Sequence, residues 1–234
     1  MEVEIPPTTK WWGCEAAPKG AASAFSRPPL KTHVYIDGFN LYYGAVRRTP
    51  FKWLDLNRLL QMLLPHDDIA QIRYFTAIVG RGNDPDSPKR QNLYFRALRT
   101  LPNVSIHLGH FSRHEVRMPL VTPIGSLKSV MVYKFEEKGS DVNLATHMLV
   151  DGFAGAYEQA VIVSNDSDLL EPVKIVRQRL GLPVGMITPH KNASKAMVPH
   201  VTFVKRIRGG PLAACQFPSP LTDAHGSFAK PPSW

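Results

Sequence analysis

Apolar positions along the chain fall into two rhythms. Short apolar runs mark strands: His33–Asp37, rich in β-branched and aromatic residues, then Ile69–Val79, Val104–Leu108, Ser129–Glu136, Ala160–Ser164 and Pro183–Ile187, with a last short run at Thr202–Val204. Ala160–Ser164 is the most uniformly apolar and reads as a parallel strand buried on both faces. Between them, apolar residues recur at helical spacing over Leu54–Leu64, which stops before Pro65, and over Arg90–Thr100. A helix from Ser140 to about Gly155 has a serine to cap it, and one over Leu169–Leu180 ends at Gly181. Ser194–Met197 is a short helix. Gly38–Asn40 reads as a turn, Gly80–Pro88 as a polar turn, and 109–128, with Pro119, Pro123 and Gly125, as irregular. Strands alternating with helices imply βαβ units, so the expected fold is a Rossmann-like three-layer α/β/α sandwich on a mostly parallel sheet.

Prolines set the domain limits. Residues 1–31 read as a flexible lead, although Trp11 and Trp12 are unusual in one, 32–208 as the folded domain, and 209–234 as a proline-rich tail whose Phe217, Phe228 and Trp234 can pack along it. The two cysteines, Cys14 and Cys215, lie in these flanks and imply neither a disulfide framework nor a zinc site, which suits a reducing compartment. No apolar run approaches a membrane span and the first residues do not resemble a signal peptide, so a cytoplasmic protein without membrane association is expected. The formal charge of +9 favours polyanions, nucleic acid among them.

Against that basic background, acidic residues gather at strand ends. The first strand ends at Asp37, followed by Gly38-Phe39-Asn40; Ala160–Ser164 leads into Asn165-Asp166-Ser167-Asp168; and Asp141 opens a helix. Each has a bland reading, as a turn former or a helix cap. Together they argue differently, because ligands of open α/β sheets bind outside the carboxyl ends of the strands. Two like charges about 4 Å apart repel by about 4 kcal/mol at an effective dielectric of about 20, so a cluster of Asp37, Asp141, Asp166 and Asp168 needs protons or a cation. Hard oxygen donors suit Mg²⁺ or Mn²⁺, ions that activate water and stabilise charge on a phosphoryl group. No Walker-type P-loop, GxGxxG, GxSxG or HExxH motif is present. His107, His110 and His114 invite a metal reading, but without a cysteine beside them a structural or RNA-contacting role is preferred.

YIDGFNLYYG (35–44), EEKGSDVNLATHMLVD (136–151) and VIVSNDSDLLEPV (161–173) resemble, in motif, order and spacing, the NYN domain family, a branch of PIN-like ribonucleases, over roughly residues 32–206. The resemblance implies a PIN fold, a divalent metal held by acidic residues and endonucleolytic cleavage of RNA, with Asp37, Asp141, Asp166 and Asp168 as metal and catalytic residues. It implies that Asn40 orients the site and that Ser164 and Asn165 shape the loop that meets the nucleic acid. One departure is His147, where some relatives carry an acidic residue.

Phosphate contacts are expected from Arg81, Lys89, Arg90, Lys128, Lys191 and Lys195, at loops and helix ends suited to backbone tracking, and base stacking from Phe39, Tyr42 and Tyr43 unless these pack in the core. Lys138 either pairs with Asp141, contacts phosphate or stays solvated. The expected partner is single-stranded RNA, with a homo-oligomer left open. The rival expectation is a non-catalytic RNA-binding or regulatory module on the same fold.

Overall fold

The computed structural model describes residues 28–80 and 84–234. The flexible lead, with Cys14, Trp11 and Trp12, lies almost wholly outside the described residues, as does Arg81. In chain order the elements are β1 (Lys31–Asp37), α1 (Gly38–Leu41) running into a π-helical turn Tyr42–Val46, α2 (Leu56–Leu63), β2 (Asp68–Ala77), α3 (Ser87–Leu98), β3 (Val104–Ile124), β4 (Leu127–Lys138), α4 (Ser140–Phe153), β5 (Gln159–Val163), α5 (Leu170–Gln178), β6 (Val184–Thr188), β7 (Phe203–Arg206), α6 (Gly209–Ala214), β8 (Leu221–Asp223) and β9 (Gly226–Phe228). Among the described residues no helix is long and apolar enough to cross a membrane.

Seven strands form one sheet in the order β4-β3-β2-β1-β5-β6-β7, parallel except for β4. Alternation along the central strands divides two cores. Val34, Ile36, Val161 and Val163 face α2 and α3, while Tyr35, Ala160 and Ile162 face α4 and α5. This is the three-layer α/β/α arrangement the pattern predicts. The chain builds outward from β1 to β2 and β3, then returns to place β5, β6 and β7 on the other side. The order therefore reverses between β1 and β5, where such sheets open a crevice at their carboxyl ends.

Three local expectations change. Residues 109–124 are not irregular: they extend β3 into a long arm paired antiparallel with β4, from His110↔Lys138 to Pro119↔Ser129. Gly38–Asn40 is not an open turn but the start of α1, because Asp37 accepts a hydrogen bond from the Asn40 N–H and caps it. The helix expected over Ser194–Met197 is a hydrogen-bonded turn, and the helical residues that follow are the 3₁₀ turn Val198–His200, which contains Pro199. The stretch after Gly209 packs against the domain. Trp53 donates from Nε1 to the Pro218 carbonyl at 3.2 Å, and the rings of Phe217, Phe228 and Trp234 surround it. Arg96 clamps the β8–β9 hairpin through a two-pronged bond to Asp223, at 2.7 Å from each nitrogen.

Candidate metal and phosphodiester site

Burial decides the geometry at the reversal of strand order. Asp37 ends β1 with 6% of its surface exposed, and both its oxygens are engaged. Oδ1 accepts the Asn40 N–H at 2.9 Å and Oδ2 accepts the Ser164 hydroxyl at 3.0 Å, which ties the end of β1 to the residue after β5. The Ser164 Oγ in turn accepts the Asp166 N–H at 3.1 Å, and Asp166 Oδ1 accepts the Asp168 N–H at 3.0 Å. A second set of bonds holds the same loop from beneath. Asn40 Oδ1 accepts the Asn165 N–H at 3.1 Å and lies 3.1 Å from His190 Nε2. Asn165 Oδ1 accepts the Thr188 hydroxyl at 3.2 Å and the Ser194 N–H at 2.7 Å. Asn40 and Asn165 thus link the ends of β1, β5 and β6. Ser164 is buried, and its hydroxyl is committed to Asp37, so its part is to position that carboxylate rather than to meet a nucleic acid. Sequence reasoning missed Thr188, His190 and Ser194. The available signal was a threonine closing a buried run beside the run that ends in Ser164.

Asp141 reaches the group from the opposite layer. Gly139 precedes α4 with φ of 98°, a left-handed conformation that a glycine adopts without strain, and the turn delivers Asp141 into the first helical turn. Glu137 accepts the Ser140 hydroxyl at 2.7 Å and so braces that entry. The carboxyls interact. Burial, then the charges of Asp37, Asp166, Glu137 and Asp168, push the Asp141 pKa up to about 6. Burial raises that of Asp37 as well, opposed by its hydrogen bonds and reinforced by Asp166. Asp168 is the exposed member. The four aspartates singled out in the sequence thus lie at the carboxyl end of the sheet, near enough for Asp141 to feel the charges of the other three.

The donor set fits a hard divalent cation in chemistry, being all oxygen and mutually repulsive. Among the described residues, however, no three acidic, histidine or cysteine side chains already converge as a ligand set. The reason is visible in the hydrogen bonds: Asp37 turns both oxygens onto protein donors, and Asp166 turns one inward to the Asp168 N–H. Coordination would exchange some of these bonds for the cation.

A group whose native pKa lies above its unfolded value binds an extra proton in the folded state. Stability from Asp141 is therefore present below about pH 4 and is lost as pH rises towards 6. Thermal melts of the wild type and Asp141→Asn should diverge over that window, with the variant the more stable at neutral pH. Mn²⁺ should raise the melting temperature of the wild type at neutral pH more than that of the variant. Parallel curves would remove Asp141 from the cluster.

The other expected contacts scatter. Lys138 lies 3.6 Å from Glu136, not on Asp141. Lys89 pairs with Asp86 at 3.0 Å and Arg90 pairs with Asp84. Lys128, Lys191 and Lys195 are exposed. The His147 ring is tilted against that of His107, with centroids 4.2 Å apart, and His107 in turn stacks on Phe75. Burial, then the charges of His147 and Arg73, lower the His107 pKa to about 4, so it is neutral at physiological pH. His110 and His114 continue along the β3 arm, and His114 lies 3.7 Å from Glu136. The three histidines do not form a metal cluster among the described residues.

Comparison with known proteins supports the fold. A solved protein of unknown function, VPA0982 from Vibrio parahaemolyticus RIMD 2210633, superposes with a TM-score of 0.53 at 17% identity, covering 78% of this chain and 96% of its own, which is a likeness of fold alone. The 6-hydroxy-3-succinoylpyridine 3-monooxygenase HspA of Pseudomonas putida (strain DSM 28022 / S16) is 33% identical over 237 residues, spanning 88% of this chain and 76% of its own length. The model of the NYN domain matches residues 31–204, taking in every aspartate of the cluster, and the chain belongs to the NYN domain family, whose fold is PIN-like.

Proposed function

We propose that the chain is a divalent-metal-dependent endoribonuclease that hydrolyses RNA phosphodiester bonds at the carboxylate cluster. The observation that carries the reading is the gathering of Asp37, Asp141, Asp166 and Asp168, with the Asp141 pKa raised to about 6 by burial and its acidic neighbours. A bound Mg²⁺ or Mn²⁺ would supply charge stabilisation at the phosphoryl oxygens and lower the pKa of water. Asp37, Asp141 and Asp166 would hold the ion, and Asp168, exposed at the rim, would complete the site or orient the attacking water. Asn40, Ser164 and Asn165 keep the two strand ends in register, and Lys191 and Lys195 lie exposed in the segment that follows β6, available to the RNA backbone.

Purified full-length protein incubated with end-labelled single-stranded RNA is expected to cut internally with Mn²⁺ or Mg²⁺ and not with EDTA. Cleavage that persists in chelator overturns the metal-dependent reading. Salt-sensitive RNA binding with no cleavage under any metal supports the non-catalytic module instead.

The similarity to the Pseudomonas putida monooxygenase favours a second reading, action on a small nitrogen heteroaromatic acid. Monooxygenation also takes dioxygen and a two-electron donor from outside the chain. Oxygen uptake that requires a hydroxypyridine acid together with a reductant, and no RNA cleavage, would establish it over the hydrolytic reading.

A further inference from the structure

On the α2–α3 side of the sheet, next to the carboxylate cluster, the chain lines a half-open cavity of about 450 Å³. That is the size of a small-molecule site. Its walls are aromatic, with Tyr42, Tyr94, Phe95 and Trp234 among the lining residues. Such walls suit one planar ring, through stacked or edge-on contacts.

The floor is not apolar. Tyr74 and Thr76 stand two residues apart on β2, so both side chains project from the same face of the sheet. Both line the cavity, and they are only 6% and 2% exposed. Neither hydroxyl makes a side-chain hydrogen bond among the described residues, and the buried side-chain atom left without a partner there is Asn103 Oδ1, so both hydroxyls open onto the cavity, while the neighbouring Gln91 donates to the Ala77 carbonyl and accepts the Val79 N–H. Gly38 leaves room for the Tyr74 ring, since a Cβ there would lie 2.6 Å from Tyr74 Cζ and 2.7 Å from its oxygen. The glycine after Asp37 therefore lets a tyrosine hydroxyl stand on the cavity floor beside the cluster.

Positive charge completes the lining. Arg90 is already paired with Asp84, but Arg47 and Lys52 have no carboxylate partner among the described residues. We propose that this cavity binds a small planar aromatic anion, its ring held between the aromatic walls, its ring substituents hydrogen-bonded by Tyr74 and Thr76, and its anionic group met by Arg47 and Lys52. Two sources share that chemistry, a free aromatic acid and a nucleotide unit of a nucleic acid. A nucleotide occupant would rest on the hydrolytic reading and a free aromatic acid on the second one, and neither requires a cation for binding here.

Calorimetric titration of the full chain in EDTA with 6-hydroxynicotinate, and separately with uridine 5′-monophosphate, tests this. Working in chelator leaves the proposed hydrolysis without its cation, so failure of either idea is seen without the other. Saturable binding of either probe is expected, weakened about fivefold by Tyr74→Phe and by Thr76→Val, the loss expected for one hydrogen bond. Binding of 6-hydroxynicotinate alone assigns a free aromatic acid, and binding of the nucleotide alone assigns a nucleic-acid unit. The proposal is overturned if neither probe binds at about 1 mM, or if both substitutions leave affinity unchanged.

Discussion

Asp37→Asn is expected to lower metal-dependent RNA cleavage by about a thousandfold, a loss of about 4 kcal/mol of transition-state stabilisation, while the protein stays folded. Asp37 is the most deeply buried carboxylate of the cluster, and it lies where the order of strands reverses. The amide keeps the shape of the side chain. Its oxygen still accepts the Asn40 N–H, and its nitrogen can donate to the Ser164 oxygen, which now faced Asp37 as a donor. What disappears is a charge whose burial already works against ionisation and which repels Asp166. The melting temperature should therefore stay level or rise as cleavage falls. That opposite movement separates a lost functional charge from a damaged fold. Asp166→Asn should behave similarly, and Asp168→Asn more mildly, because that side chain is exposed. Wild-type rates in both Asp37→Asn and Asp166→Asn would move the chemistry away from the cluster.

The sheet was legible where burial was two-sided. β1, β5 and β6 are almost wholly buried, so their sequences are compact apolar runs, and the acidic residues stand out where those runs stop. The β3 arm was not legible because hydrophobic patterning reports burial, and beyond His110 most of the arm is exposed. Its polar residues and prolines carry no core-facing rhythm, although the β-pairing with β4 runs nearly its whole length. The C-terminal segment was legible through its aromatic residues. Prolines mark the absence of regular structure, but Phe217, Phe228 and Trp234 signalled that the segment could pack. The Trp53 side chain, buried beneath Phe217, Phe228 and Trp234, shows that irregular chain can close a core. The four aspartates could be named from strand ends and motif, but their fixing through Asn165, Thr188 and Ser194 depends on β6 lying beside β5, which is tertiary information.

The same limit concealed Asp151, whose substitution by alanine should be the most destabilising single change outside the apolar core. The sequence held a signal for it. Leu144 and Met148 form the buried stripe of α4, and the next position at that spacing is Asp151, an acid where the core face continues. In the structure it sits below the sheet's midpoint, far along α4 from Asp141, and takes four hydrogen bonds. Arg73 donates from Nε at 2.7 Å and Nη2 at 2.8 Å, Tyr35 from its hydroxyl at 2.8 Å, and His33 Nδ1 lies 3.3 Å away. Burial opposes its ionisation, yet the bonds from Arg73 and Tyr35 and the charge of Arg73 hold its carboxyl below the ordinary range. Asp151→Ala removes the acceptor that Arg73, Tyr35 and His33 share among the described residues and leaves the Arg73 charge and the Tyr35 hydroxyl uncompensated. Breaking a buried pair in this way costs about 3–5 kcal/mol, or roughly 6–20 °C in melting temperature for a chain of this size. The depressed pKa gives a second signature with a definite sign. Stability from Asp151 is present above the ordinary carboxylate range and is lost as pH falls through its native value, so acid should narrow the gap between wild type and variant. Denaturant melts at neutral and acidic pH would measure both, and a gap that stays below about 1 kcal/mol at neutral pH would show that the network carries little of the stability.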